Sequence, residues 1–337
     1  MIDVLVAGGG PAGLAAAVHS ALAGLEAVVV EPRASPVDKA CGEGVMPSGV
    51  AALRRLGVEA DGRELRGIRY VDHATSAEAL FHTDRGLGIR RTELHRALHE
   101  RALGVGVRIV QGKVGEVRQS PDSVTAAGLT ARWLIAADGL HSGVRRGLGL
   151  ELPGGAHRRY GLRRHYRVEP WTDFVEVHWT GHGEAYVTPV AGDLVGVAVL
   201  SRARRGYDEH LGEFPALGAV LRGTAATEVR GAGPLSQRAR RRVAGRVLLV
   251  GDAAGYVDAL TGEGIALGLA TAEAAVRCIA AHRVPAYERA WASLTRRHRL
   301  LTGALLAASR RPRTARLIVP AASRMPPVFA AVVHALQ

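Results

Sequence analysis

A chain of 337 residues, 47% hydrophobic and 22% charged, is long for one core and suits two interleaved domains. Its formal charge of +13 is almost wholly arginine, Lys39 and Lys113 being the only lysines; with aromatics at 4% and no nucleic-acid motif, binding by base stacking is excluded. Cys41 and Cys278 are too few and too far apart for a disulfide framework or a zinc site, no stretch reaches about 18 uninterrupted apolar residues, and Asp3 stands where a signal peptide would be basic. A reducing, cytoplasmic setting is the expectation, with no metal ligand set and no nucleic-acid partner.

The first element is Asp3-Val4-Leu5-Val6-Ala7, an apolar run that predicts a short buried strand. Gly8-Gly9-Gly10-Pro11-Ala12-Gly13 follows, then helix from Pro11 to Ala23 and a second strand from Glu26 to Glu31. Together these make a βαβ unit around a Gly-x-Gly-x-x-Gly turn. Gly8 permits the tight turn, Gly10 lets a pyrophosphate approach the backbone, and Gly13 lets helix pack closely on strand. The unpaired N–H groups of the helix, which opens with Pro11 and Ala12, suit a diphosphate. Glu31, 18 residues beyond Gly13, is placed to accept hydrogen bonds from a ribose.

A long turn-rich loop, Pro32 to Gly44, leads to a helix from Ser48 to Leu56 with Ser48 as its cap. Short strands are expected between Leu65 and Phe81, a helix opening at Arg91 with Leu94, Leu98 and Ala102 on one face, and strands at Val107–Val110, Lys113–Arg118, Val124–Ala126 and Arg132–Ala137. From about Gly155 to Leu235 the pattern is of consecutive antiparallel strands, with Ala191-Gly192-Asp193 as a hairpin turn, followed by a helical stretch from Tyr207 to Leu221. A buried strand, Arg246–Val250, then runs into Gly251-Asp252, a loop, and a small-residue helix from Gly264 to about Ala281. The remainder reads as helices broken at Pro312, Pro320 and Pro326-Pro327.

Three segments carry a resemblance: the glycine fingerprint, Ala137-Asp138-Gly139-Leu140-His141-Ser142-Gly143-Val144-Arg145, and Gly251-Asp252 with Thr261-Gly262-Glu263-Gly264. In this order and spacing the chain resembles the flavoprotein monooxygenases of the p-hydroxybenzoate hydroxylase fold. The stretches Asp38-Lys39-Ala40-Cys41-Gly42-Glu43-Gly44 and Asp258-Ala259-Leu260-Thr261-Gly262-Glu263-Gly264-Ile265 are similar to the branch that includes geranylgeranyl reductases. The resemblance implies an α/β fold: a Rossmann-like FAD-binding domain at 1–64, 91–154 and 237–285, an interleaved antiparallel-sheet substrate domain at 65–90 and 155–236, and C-terminal helices at 286–337.

It further implies that Asp252 bonds the ribityl chain of FAD and that backbone N–H groups of Gly262, Glu263, Gly264 and Ile265 face the flavin N1 and C2 carbonyl edge, stabilising the reduced anion. Asp138 and Gly139 would support cofactor and reductant, Arg91 the diphosphate with Arg90 as its alternative, and Arg33 the adenosine end. Cys41 and Gly42 would lie near the isoalloxazine. Glu43 and Tyr186 are the pocket-lining candidates, and no catalytic acid or base is assigned. His73, His82, His178 and His182 have no metal-ligand spacing.

A second dinucleotide fingerprint is absent, so NAD(P)H docking transiently, or a partner reductase, would supply electrons. The first expectation is a monooxygenase of secondary metabolism, passing oxygen from a flavin C4a-hydroperoxide to an aromatic or polyketide-type molecule. The alternative is saturation of a prenyl-lipid double bond. Here Glu184-Ala185-Tyr186-Val187-Thr188-Pro189 keeps only Tyr186 and Pro189 of the reductases' Tyr-x-Trp-x-Phe-Pro pattern. Halogenation is weakened further, since Trp-x-Trp-x-Ile-Pro is missing and neither lysine stands where such chemistry needs it. A non-catalytic FAD-binding protein is the remaining reading. The arginines among Leu300, Leu301, Leu305, Leu306, Leu317 and Ile318 suggest a packed helix with a basic outer face, at most touching a membrane peripherally.

Overall fold

Ile2–Ala7 carries no polar residue that needs water except Asp3, and it forms the central strand of a parallel sheet, with Val4, Leu5, Val6 and Ala7 fully buried. This is seen in a computed structural model that describes residues 1–82, 84–154 and 158–336. The expected boundary at Gly155 and the terminal Gln337 lie outside the described residues. The sheet runs Val243–Ala244, Val247–Leu249, Leu129–Ala136, Ile2–Ala7, Ala27–Glu31, Arg108–Gln111. Its last four pairings are parallel, with Val4 between Trp133 and Ala27. Because the chain leaves Ile2–Ala7 for one neighbour and later returns on its other side, the carboxyl ends of these strands open a crevice there.

Helices Pro11–Leu22 and Gly264–Ala280 cover one face of this sheet. Their small residues bring backbones close: a Cβ on Gly268 would stand 3.4 Å from that of Ala12. The second large sheet runs Arg230–Ala232, Tyr160–Arg167, Leu194–Ser201, Gly183–Ala191, Phe174–Trp179, Gly67–Val71, Ser76–Leu80. Its period-2 alternation divides it cleanly. Ala185, Val187, Val197 and Val199 pack under Tyr207, Phe214 and Leu217, while Tyr186, Ala198, Leu200 and Val177 face the C-terminal helices.

Several expected boundaries move. The helix after the long loop is Pro47–Arg55, capped by Met46 and opened by Pro47 rather than by Ser48, since proline's fixed φ suits the first helical position. Tyr207–Leu221 is two helices, Tyr207–Leu211 and Pro215–Leu221, because Pro215 has no N–H to continue the first. Of Lys113–Arg118 only Val117–Gln119 pairs as strand. Pro320 does not break a helix: it is the third residue of Ile318–Arg324, in the first turn where no intrahelical N–H is required. The C-terminal run is Tyr287–Ser309, Pro312–Ala315, Ile318–Arg324 and Pro326–Ala335. Among the described residues no single helix is long and apolar enough to cross a membrane; Pro312–Arg324 and Pro326–Ala335 pass that test together but are bent by 103°.

Candidate cofactor and substrate site

The glycine loop leaves the end of the central strand under tight constraint. Gly8 has φ +99°, and a Cβ on it would stand 2.6 Å from the Ala137 carbonyl oxygen; one on Gly13 would stand 1.9 Å from that of Gly8. Gly10 differs: the nearest atom to its Cβ position is Arg91 Nη2 at 3.8 Å, so space lies before the N-terminus of helix Pro11–Leu22, where no side chain caps the free N–H groups. Glu31 closes the loop, accepting from Gly9 N at 2.7 Å and from Arg33 Nε at 2.7 Å. Burial opposes its ionisation, but these bonds outweigh it and hold the carboxyl below its ordinary value. His95 supports the loop from the helix Arg91–Gly104, its Nε2 2.9 Å from Gly9 O; burial and Arg91 push its pKa down to about 4.

Two polar atoms beside this loop lack partners. Arg91 is buried with Nη1 unpaired, and Asp138 offers a buried Oδ1 without a donor while its Oδ2 accepts from Val144 N at 3.1 Å. Such orphans are rare in native interiors and mark a place for a ligand. Asp252 follows the neighbouring parallel strand; burial raises its carboxyl, against the pull of Lys39, Arg91 and Arg145. Arg145, fully buried, fixes that turn by donating to Ala253 O at 3.1 Å, to Leu140 O at 3.0 Å and to Glu151 at 2.9 Å.

The loop with Cys41 is held by a buried chain of hydrogen bonds. Glu43, at φ +61°, accepts from Arg91 N at 2.8 Å through one oxygen and meets His165 Nε2 at 2.6 Å through the other. Arg163 Nη1, which can only donate, lies 3.1 Å from His165 Nδ1, so the imidazole proton sits on Nε2 and is given to Glu43. Gly196 makes room, since a Cβ there would stand 2.7 Å from Glu43 Oε2. With both oxygens engaged, Glu43 positions the loop. Thr188 Oγ1 donates to Gly42 O at 2.8 Å, and burial pushes the Cys41 thiol up. Tyr186 lines the cavity through its ring; its hydroxyl donates to Leu260 O at 2.6 Å and so fixes the loop before Gly262.

These parts surround one cavity of about 1180 Å³. All the residues expected to bind the cofactor or line the pocket line it except Gly13, which lies beneath the loop, and Glu263, whose side chain turns away to His298 Nδ1 at 2.7 Å. Arg91 lines it and Arg90 does not. Lys39 and Lys113 also line it; Lys39 Nζ stands 3.4 Å from the position of a Gly139 Cβ, on the side of Asp252. His178 bonds Glu176 at 3.1 Å, and among the described residues no group of His, Cys, Asp or Glu could hold a metal ion. Sequence reading missed His165, Arg163 and His298, which carry no motif and act only through distant partners. It also missed the far wall, where Leu305, Ile318, Phe329 and Val333 meet Tyr70 of the sheet only after the chain has folded back.

Comparison with known proteins follows the same division. Residues 1–180 match the family profile described as an FAD binding domain. Menaquinone reductase of Mycolicibacterium smegmatis is 31% identical over 329 residues, covering 88% of this chain and 80% of that protein. Digeranylgeranylglycerophospholipid reductase 1 of Methanothermobacter thermautotrophicus is 29% identical, covering 86% and 81%. Among solved structures, the flavin-dependent brominase Bmp2 superposes with a TM-score of 0.83 at 16% identity, over 99% of this chain and 93% of that one, a likeness of fold alone. The crevice at the strand ends, its glycine cradle and orphaned polar atoms, and the match across more than half of the chain agree: this protein belongs to the FAD-binding-domain family of FAD-dependent oxidoreductases.

Proposed function

We propose that this protein saturates a carbon–carbon double bond in a prenyl-bearing lipid, using electrons from NAD(P)H. The observation that carries the reading is the far half of the cavity, where Tyr70 and Leu200 from the sheet face Leu305, Ile318, Phe329 and Val333 from the C-terminal helices. At about 1180 Å³ the whole space exceeds the roughly 300–1,000 Å³ of a site for one small ligand, and its far half offers a flexible apolar chain continuous van der Waals contact. Glu43 and Tyr186, the anticipated pocket candidates, have their polar atoms engaged. Two relatives that each span most of the chain are named as reductases, one of a menaquinone and one of a digeranylgeranyl lipid, which supports the same choice.

The near half fits FAD. The N–H groups at Pro11–Leu22 and the unpaired Arg91 Nη1 would hold its diphosphate, Glu31 and Arg33 the adenosine end, and Asp252 the ribityl chain. Gly264, at the uncapped start of helix Gly264–Ala280, would present its N–H group to the flavin, whereas the Gly262 N–H, expected to do the same, is already given to Ala259 O at 3.1 Å. Once reduced by NAD(P)H, FAD held there would supply the hydride that the double bond takes up. Cys41 Sγ, kept protonated by burial on the loop between the halves, holds the proton that completes saturation. The apolar walls keep water from competing with the double bond.

The test is anaerobic reduction of the purified holoprotein with NADPH, then mixing with geranylgeranyl lipids and, separately, with phenolic polyketides in oxygen. A saturated prenyl product formed without oxygen is the expected result. Oxygen-dependent hydroxylation of a phenol, with prenyl lipids untouched, would overturn the reading in favour of the monooxygenase expected first.

A further inference from the structure

The same face of the antiparallel sheet carries a second cavity, of about 200 Å³, beyond its wide end. Register places it: Glu184 pairs with Leu200 and with Trp179, so going two residues outward from Tyr186 and Leu200, which line the large cavity, leads to Glu184 and Arg202, which line the small one. Trp179 lines the small cavity and Tyr70 the large one, their ring centroids 5.4 Å apart.

The small cavity holds more positive charge than its own acids neutralise. Of its four arginines, Arg159 is buried and bonded to Glu184 and to Asp258 at 3.1 Å, and Arg205 is paired with Glu213 at 3.1 Å. Arg202 and Arg310 have no ion pair among the described residues. Arg202 Nη1 donates to Arg310 O at 2.8 Å, which fixes its guanidinium, and burial with the nearby charges of Arg159 and Arg310 holds it below its ordinary pKa. A neutral donor stands with them: Trp179 is 6% exposed, and its buried indole N–H has no hydrogen-bond partner. Two exposed guanidinia without an ion pair and a buried, orphaned N–H around one open cavity are a donor set without an acceptor.

We infer that this cavity binds a phosphoryl group, held by Arg202, Arg310 and Trp179. Phosphate oxygens match planar guanidinium donors and accept several bonds at once. Because the site is next to the large cavity, with Ser309 lining it where Ala308 lines the other, it is placed to take the headgroup of a phosphorylated prenyl lipid whose chain lies among the C-terminal helices. This use rests on the reductase reading; anion binding itself does not.

The test compares geranylgeranyl diphosphate with geranylgeraniol as substrates of the reduced holoprotein, alongside titration of the holoprotein with inorganic pyrophosphate followed by tryptophan fluorescence. The diphosphate is expected to have a KM about tenfold below that of the alcohol. R202Q/R310Q should remove that difference and weaken pyrophosphate binding about tenfold, leaving kcat on the alcohol unchanged; Trp179→Phe should give a smaller loss of the same kind. Weakened pyrophosphate binding with an unchanged KM difference would assign the site to free phosphate rather than to a headgroup. If neither lipid is reduced, the reductase reading fails while the pyrophosphate titration still decides the site. Pyrophosphate binding that R202Q/R310Q leaves unchanged overturns the proposal.

Discussion

The two halves of the large cavity are built on opposite principles. Around the glycine loop, polar atoms are buried and left without partners: Arg91 Nη1 and Asp138 Oδ1 have none, and helix Pro11–Leu22 begins with no side-chain cap. Across the cavity, polar atoms are few, Tyr186 being bonded to Leu260 O and Glu43 to Arg91 N and His165, and apart from the Tyr70 phenol the wall facing the C-terminal helices is mostly hydrocarbon. An unpaired buried donor is unfavourable until a ligand completes it, so the first half specifies its occupant closely. A hydrocarbon wall asks only for volume and shape, so the second half specifies a class.

The sharpest way to break this comparison is Gly13→Ala. The new Cβ would stand 1.9 Å from a backbone oxygen that cannot move without opening the turn, and FAD affinity is expected to fall by at least about 100-fold, read as flavin retained on purification. Full flavin content would mean that the cradle is not tight. Arg91→Met should weaken FAD by about tenfold to about 100-fold in a fluorescence titration while leaving the melting temperature of the apoprotein undiminished, because the side chain removed is a buried charge without a partner. A strongly destabilised apoprotein would show that Arg91 is structural.

On the other side, Ala322→Trp should fill part of the apolar half and raise KM for a geranylgeranyl lipid about tenfold with the flavin spectrum unchanged. A changed spectrum with an unchanged KM would reverse the assignment of the two halves. The smallest effect concerns pH. His95 has its pKa pushed down from 6.5 to about 4, so the unfolded chain binds the proton first and stability present above pH 6.5 is lost as pH falls toward 4. His95→Gln, retaining a donor for Gly9 O, should flatten that part of the melting-temperature profile. A profile identical to the parent's would place the acid sensitivity elsewhere.

Glycine spacing, the acid at Glu31 and the apolar runs within Asp3–Ala7, Glu26–Glu31 and Arg132–Ala137 made the parallel sheet and its crevice legible in the sequence, because steric and periodic rules act over a few residues. Helix ends were less legible where two rules competed, as at Ser48, whose side chain suits a cap but whose neighbour Pro47 suits the first turn better. The buried links Glu43–His165–Arg163 and Glu263–His298 join residues far apart in the chain, and nothing local in either partner announces the other. The same holds for the small cavity, where Trp179, Arg202 and Arg310 meet from two strands' ends and a helix terminus. By itself, then, the sequence determined the cofactor cradle, since a tight backbone turn is encoded in contiguous residues. Only the tertiary structure decided what the cavity's far wall is and which charges stand unpaired, since both depend on the C-terminal helices packing back over a sheet they follow in sequence.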